Sequence, residues 1–282
     1  METDKLIVVK GNSIIESSYS LTLVEKRILL GCISKIDSTQ QFTKKDGFTI
    51  KVDEIKDLVT ERTSKNSLYS QVKSGMDRLG DRWLDLNDKG TDKVRWIYRK
   101  KYNDDEGSIT LYFTDEILPF LSELKGNFTK YKLQYVSKFS SIHSIRIYEL
   151  LVQWLSKGTR EIELDALKKM LGVDGKYIRS SNFIEKVIKP SLNDINKYSN
   201  LNASFGVRKT GKRVSHIQFE FSIKEIAAES KALTIDGYVR LNPSKTKGKS
   251  EVEVRKLMKQ DSKQLSLVGV SRKHQGTKQD GK

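Results

Sequence analysis

Cysteine and histidine are scarce in this sequence, and their scarcity excludes several kinds of chemistry. Cys32 is the only cysteine among 282 residues, so no internal disulfide can form. The histidines His143, His216 and His274 lie far apart and fit no metal-ligand or catalytic spacing. We therefore expect no metal, no cofactor and no enzymatic activity.

Long apolar segments are also lacking. No stretch approaches the roughly 18 apolar residues that suggest a membrane span. The N-terminal segment METDKLIVVKGNS is charged and has no apolar core like that of a signal peptide. We therefore expect a cytoplasmic protein without a membrane partner.

Acidic residues are outnumbered, with 36 Asp and Glu against 52 Lys and Arg, which gives a net charge of +16. Such a charge predicts an acidic polymer as partner, with nucleic acid ahead of an anionic membrane surface. The excess is concentrated in two places. Residues 175–216 carry nine basic residues against two acidic ones, and residues 230–282 carry thirteen against five. The second stretch lacks apolar periodicity, which predicts a basic, disordered tail over 229–282.

One order of elements occurs twice along the chain. The first unit has a predicted helix over 21–36 capped by Ser20, a strand over 48–52, a short helix capped by Asp53, and a helix over 66–82. The second has a helix over 141–156, a segment IELDALKKML (162–171) that resembles IKVDEIKDLV (50–59), and a helix from Asn182. The spacing of Leu68, Val72, Met76 and Leu79 equals that of Ile184, Ile188, Leu192 and Ile195.

Each unit ends in a predicted β-hairpin, which completes the order of a winged helix-turn-helix. The fold class is therefore α+β, with two tandem winged helix-turn-helix domains. We place the N-terminal domain at 1–130, the C-terminal domain at 131–228 and the tail at 229–282. The alternative is that any strand-helix-helix unit would give such a pattern by chance.

The segment SFGVRKTGKRVSH (204–216) contains most of a phosphate-binding loop, G-x-x-x-x-G-K-[ST]. However, Arg213 replaces the Mg²⁺-binding hydroxyl residue, and a predicted strand follows where a nucleotide site needs a helix N-terminus. Thr210 and Gly211 suit the tight turn of a hairpin instead. The basic loop is therefore predicted to be a wing that contacts phosphates or a minor groove.

The helix from Asn182 is the candidate recognition helix, because its apolar stripe leaves polar and basic residues on the opposite side. Asn and Lys side chains can bind base edges, and basic side chains can bind phosphates. A solvated helix face with scattered lysines is the simpler alternative. Pro190 is expected to kink this helix. The predicted DNA contacts of the C-terminal domain are Arg179, Ser181, Asn182, Lys186, Lys189, Asn193, Arg208, Lys209, Lys212 and Arg213.

The equivalent helix of the N-terminal domain is less basic and includes Asp77 and Asp81. We expect it to make accessory DNA contacts or to form an interface. Its predicted DNA-contacting residues are Arg62, Lys65, Gln71 and Arg78.

Over residues 5–225 the sequence resembles the plasmid replication initiators of the Rep_3 class. The resemblance lies in YSLTLVEKRILL (19–30), SIHSIRIYELLVQWL (141–155) and NFIEKVIKPSLNDINKYSNL (182–201). It implies binding to double-stranded plasmid origin repeats (iterons), opening of the origin and recruitment of the host replicative helicase and initiator in a bacterial cytoplasm. It further implies a homodimer in equilibrium with monomer, with the N-terminal domain as the dimer contact and repression of its own gene by the dimer. By position, Arg179, Asn182, Lys186 and Lys189 would face the iteron major groove.

The tail contains QLSLV (264–268), which resembles the short peptide that docks on the bacterial sliding clamp. Gln264, Leu265 and Leu267 would make that contact, because spaced leucines of an extended peptide can enter an apolar groove. Incidental leucines in a tail are the alternative. For the whole chain, the alternatives to an initiator are a dimeric winged-helix transcriptional repressor and a DNA-processing enzyme.

Overall fold

The computed structural model describes residues 6–59, 65–86 and 90–224, together with 235, 239 and 243–258. The chain divides into two compact units, 1–224 and 225–282. In the second unit, Pro243–Thr246 and residues 251–258 are helical, which the sequence prediction did not include. The predicted boundaries near 130 and 228 stay predictions.

The N-terminal half of the first unit forms a winged helix-turn-helix with additional strands. The elements are β1 (Ile7–Gly11), α1 (Asn12–Glu16), β2 (Ser18–Tyr19), α2 (Leu23–Ile33), β3 (Phe48–Lys51), a 3₁₀ turn (Val52–Ile55), α3 (Lys56–Val59), α4 (Lys65–Leu79), β4 (Trp83–Asp85), β5 (Lys93–Arg95), β6 (Ile97–Asn103), β7 (Ser108–Phe113), a 3₁₀ turn (Leu118–Phe120), β8 (Phe128–Lys132) and α5 (Gln134–Ser137). The predicted stripe of α4 is confirmed, because all four of its apolar residues are buried.

Two predicted helix caps are wrong. Thr22, not Ser20, caps α2, because the Thr22 side chain accepts a hydrogen bond from the Glu25 backbone while the Glu25 carboxylate accepts one from Thr22 N. Lys51, not Asp53, is the N-cap of the 3₁₀ turn, which makes no side-chain cap bond. Asp53 instead lies in the first turn, where the carboxylate meets the positive end of the helix dipole.

Three antiparallel sheets stabilise this half of the unit. Their strand orders are β1-β8, β2-β4-β5 and β3-β7-β6. The pairing of β1 with β8 joins the start of the chain to residues that were predicted to lie at a domain boundary. Sequence patterns did not indicate this pairing, because both strands are short and carry lysines between their apolar residues.

The C-terminal half of the unit forms a second winged helix. It consists of α6 (Ile142–Gln153), β9 (Thr159–Glu163), α7 (Leu164–Met170), α8 (Ser180–Phe183), a π-helical turn (Ile184–Ile188), α9 (Lys189–Tyr198), β10 (Leu201–Thr210) and β11 (Arg213–Ile223). The sheet has the order β10-β11-β9 and is antiparallel throughout. Two tandem winged helices of mixed helix and sheet therefore confirm the predicted fold class.

We refer to residues 180–198, the continuous run of α8, the π turn and α9, as the recognition helix. Pro190 does not end or break it. The π turn immediately before the proline widens the helix, which makes room for the proline ring that would clash with the carbonyl four residues earlier in a regular α-helix. The turn also changes the buried face, so that Phe183 and Val187 join the core while Ile184 is only half-buried.

A buried ionic group, which we call the Glu149 cluster (Lys10, Lys26, Tyr131 and Glu149), joins β1, α2 and β8 to α6. The Glu149 carboxylate receives Lys10 Nζ at 2.6 Å, Lys26 Nζ at 3.1 Å and the Tyr131 hydroxyl at 2.5 Å. The three charged side chains are at most 1% exposed. Burial would raise the pKa of Glu149, but the two lysines outweigh burial and lower it to about 2.

A second buried contact fixes the end of α7 against β2. The Arg146 guanidinium donates to Ser17 O at 2.7 Å and to Met170 O, and it lies 3.7 Å from the centre of the Tyr19 ring. Gly172 follows α7 with φ +68°, and a Cβ there would overlap the Tyr19 carbonyl oxygen. The two winged helices therefore meet through close backbone packing, which only glycine permits at this point.

Candidate nucleic-acid interface

The recognition helix is fixed to the domain by polar contacts at its buried side. Asp194 Oδ2 accepts hydrogen bonds from Ser140 N at 2.8 Å, Ser140 Oγ at 2.9 Å and Ser144 Oγ at 2.7 Å. The Asn196 amide exchanges two hydrogen bonds with the backbone of Ala203, which links the helix to β10. The orientation of the helix relative to the sheet is therefore well determined.

The opposite side of the recognition helix faces solvent. Ile188, Leu192 and Ile195 are buried, as predicted from the stripe. The side chains predicted to contact DNA are all exposed: Arg179, Ser181, Asn182, Lys186, Lys189 and Asn193. Lys189 forms an ion pair with Glu185 one turn earlier, so its charge is partly compensated.

The basic loop within residues 204–216 forms the tip of a hairpin, which we call the wing (residues 201–223). Thr210 pairs with Arg213 across a two-residue turn in which Gly211 has φ +62°. Gly206 lies inside β10, and the strand β11 follows Lys212 directly, so no helix N-terminus faces the loop. This geometry lacks the strand-loop-helix that a phosphate-binding loop requires, and it agrees with the predicted wing.

The wing charges differ in their surroundings. Arg208 forms an ion pair with Glu161 of β9 at 2.7 Å, and Gln218 donates to the same carboxylate at 2.7 Å. These hydrogen bonds from Arg208 and Gln218 hold the pKa of Glu161 below its usual value. Lys209, Lys212 and Arg213 are exposed around the turn and form the basic wing tip.

The N-terminal domain presents fewer of its predicted contacts. Arg62 lies outside the described residues, and of Lys65 only the backbone in α4 is described. Gln71 is exposed. Arg78 donates from Nε to Glu25 at 3.0 Å and from Nη1 to the Ser74 hydroxyl at 2.6 Å, so this arginine already has protein partners.

The acidic residues on the N-terminal domain are partly neutralised by the fold. Asp77 accepts hydrogen bonds from Lys100 Nζ at 2.5 Å and from the Tyr102 hydroxyl at 2.7 Å, and these bonds lower its pKa. Asp104 accepts hydrogen bonds from Tyr69 and Lys73 in the same way. The repulsion that these carboxylates would exert on DNA is therefore reduced.

Sequence reasoning missed several residues that shape this surface. Asp194 could have been identified from the sequence, because it is an acidic residue close to the apolar stripe of a basic helix. Glu161 could not have been identified from the sequence, since its pairing with Arg208 depends on the strand register. Ile178 is exposed in the turn before the recognition helix and follows Tyr177, which has a positive φ.

Within the described ranges, no cluster of His, Cys, Asp or Glu has the arrangement of a metal site. Among the helices that the structure describes, none combines the length and apolarity needed to cross a bilayer.

Two family models match the chain in succession. The model described as "Initiator Replication protein, WH1" matches residues 7–152, and "Initiator Rep protein, WH2" matches residues 163–221. A "Replication initiation protein" of Escherichia coli is 28% identical over 227 residues, which cover 78% of this chain and 70% of the relative. The "PI protein" of Escherichia coli is 25% identical over 254 residues, which cover 76% of this chain and 82% of the relative.

The solved structures include a close match in fold. The crystal structure of the Pi initiator protein in complex with iteron DNA superposes with a TM-score of 0.66 and 25% identity, covering 79% of this chain and 99% of that chain.

Proposed function

This chain belongs to the initiator replication protein family, and we propose that it starts plasmid replication by binding iterons, the repeated double-stranded DNA sites of its origin. The observation that carries the proposal is the pairing of an exposed recognition helix with a basic wing tip in the fold of an iteron-bound relative. The helix would enter the major groove, and the wing would contact the flanking backbone or minor groove.

A footprint on the DNA adjoining its own gene tests this function. A regular series of protected sites, spaced about two helical turns apart, is expected for an initiator that binds tandem repeats. One protected palindrome and no series would instead identify the chain as a dimeric repressor.

Two substitutions test the DNA-binding surface. Lys186→Ala and Arg213→Ala should each weaken specific binding, because each removes one phosphate contact. Each should also reduce the slope of log affinity against log salt concentration by about one unit. Filter binding over a range of salt concentrations measures both quantities. Lys157→Ala is the matched control, since this exposed lysine precedes Gly158 at the end of the sheet opposite the wing tip. If both variants keep the wild-type slope, this face does not contact DNA.

We further propose that the chain exchanges between monomer and homodimer, that the monomer helps open the origin and recruits the host replicative helicase and initiator, and that the dimer represses its own gene. Membership of the family supports these roles, which would be carried out in the bacterial cytoplasm, where the plasmid is.

Docking of the tail on the sliding clamp is a separate proposal. Gln264, Leu265 and Leu267 lie outside the described residues, so its support is the sequence QLSLV alone. Replacing Leu265 and Leu267 together by alanine should abolish capture on immobilised clamp, while Val268→Phe should increase it by adding apolar contact area. Failure of both the wild-type chain and Val268→Phe to bind the clamp would refute the proposal.

A further inference from the structure

An isoleucine is held in solvent at the entrance to the recognition helix. The Ile178 side chain is 94% exposed, in the turn that joins α7 to α8. It lies between the exposed basic residues Lys176 and Arg179, and Arg179 is the N-cap of α8. This apolar side chain therefore belongs to the same basic surface as the predicted DNA contacts.

Local helix rules predict a different position for this side chain. An apolar residue immediately before an N-cap commonly packs against the fourth residue of the helix, here Phe183. In this structure Tyr177 takes that place, with its ring centre 6.0 Å from that of Phe183. Tyr177 has φ +55°, a left-handed conformation that is unfavourable for a residue with a Cβ. The anchored Tyr177 thereby turns Ile178 away from the core.

The surroundings of Ile178 indicate which kind of partner it contacts. The lysine and arginine on either side of Ile178 suit the phosphates of a duplex. In the major groove, the apolar group available to an isoleucine is the 5-methyl group of thymine. An apolar contact there distinguishes thymine from cytosine without any hydrogen bond.

We propose that Ile178 is a specificity-determining residue that contacts a thymine methyl group in the bound DNA site. The proposal rests on the proposed function and adds a base preference to it. The turn before the recognition helix, and not only the polar face of the helix, would then contribute to sequence recognition.

Deoxyuridine substitution tests the contact, because deoxyuridine differs from thymidine only by the missing methyl group. The probe is the duplex that the full chain binds best from a random-sequence library, with each thymidine replaced in turn. For the wild-type chain, one position should weaken binding about fourfold, as expected for one buried methyl group. Ile178→Ala should bind the parent duplex about fourfold more weakly and show no further loss at that position.

Ile223→Ala serves as the matched control. Ile223 is also an exposed isoleucine, 54% accessible, at the end of β11 away from the wing tip. This variant should keep the wild-type response to deoxyuridine. Because Ile178 is almost wholly exposed, Ile178→Ala should also unfold at the wild-type temperature.

The possible results distinguish failure of the Ile178 contact from failure of the proposed DNA binding. Equal deoxyuridine sensitivity in Ile178→Ala and wild type, or no sensitivity at any thymidine, overturns the Ile178 contact while DNA binding stands. If the library yields no preferred duplex, the proposed function fails and the Ile178 contact fails with it.

Discussion

Glu149→Gln is expected to lower the free energy of unfolding by about 3–5 kcal/mol, the usual cost of removing one partner from a buried ion pair. Glu149 is the carboxylate that receives hydrogen bonds from Lys10, Lys26 and the Tyr131 hydroxyl in the Glu149 cluster. Glutamine has nearly the same shape, so the loss would come from leaving two buried ammonium groups without their counter-charge. Urea unfolding followed by circular dichroism at pH 7 measures the change.

The pH dependence of the same variant gives a second measurement. Burial already lowers the pKa of Lys10 to about 8, against the attraction of Glu149, and removing that carboxylate should lower it further. The unfolded chain then binds more protons than the folded chain between the lowered pKa and the ordinary value of 10.5, so the stability of Glu149→Gln should rise with pH over that range.

The wild-type chain should lose stability in acid. The folded pKa of Glu149 is about 2, below the ordinary 4.5. Its contribution is therefore complete above pH 4.5 and is lost as pH falls towards 2, whereas Glu149→Gln lacks this contribution.

The control for Glu149→Gln is Glu185→Gln, which removes a carboxylate from the exposed pair with Lys189. Its effect should be less than about 1 kcal/mol, because solvent screens exposed pairs. Similar losses in the two variants would mean that the Glu149 cluster does not stabilise the fold in the way its geometry indicates.

The sequence predicts the surface of the recognition helix better than it predicts the contacts between residues far apart in the chain. Helical periodicity separates Ile188 and Leu192 from Lys186 and Asn193, because alternation on one helix depends only on local spacing. The wing is also local, since the turn at Gly211 joins adjacent strands. These features could therefore be assigned before the structure.

The contacts of the Glu149 cluster could not be assigned in this way, because they join residues far apart in the chain. Lys10 and Glu149 are separated by 139 positions, and each looks like a solvated charge beside apolar residues. A partial signal exists for Glu149, which follows Ile145 by four residues and so falls on the buried stripe of α6. Its partners can be identified only from the packing of β1 and α2 around that helix.

The joint between the two winged helices, at Arg146 and Gly172, matters for function because two winged helices can bind one DNA site together only when their separation and orientation suit it. Linked contacts of this kind add binding free energy only if both can engage at once. Arg146, which bonds to backbone oxygens of Ser17 and Met170, fixes the end of α7, the helix that precedes the recognition helix. Stability at the joint and affinity for DNA should therefore be coupled.

Gly172→Ala tests this coupling and should lower the free energy of unfolding by about 2–5 kcal/mol. One part is the left-handed conformation at φ +68°, which costs a residue with a Cβ roughly 1–2 kcal/mol. The other part is the overlap of the new methyl group with the Tyr19 carbonyl, since overpacking against backbone costs about 1–3 kcal/mol. Thermal and urea unfolding measure the sum, and the affinity for the selected duplex should fall about tenfold or more as the domains lose their alignment.

Gly175→Ala separates the conformational cost from the cost of overlap. Gly175 has a similar φ of +73°, but a Cβ added there would lie in open space. That variant should lose only the conformational part and should bind DNA almost as tightly as the wild type. If both variants lose equal stability and equal affinity, the approach of Gly172 to Tyr19 does not determine the arrangement of the domains. A larger loss of both quantities in Gly172→Ala would mean that DNA affinity depends on a backbone contact remote from the wing tip.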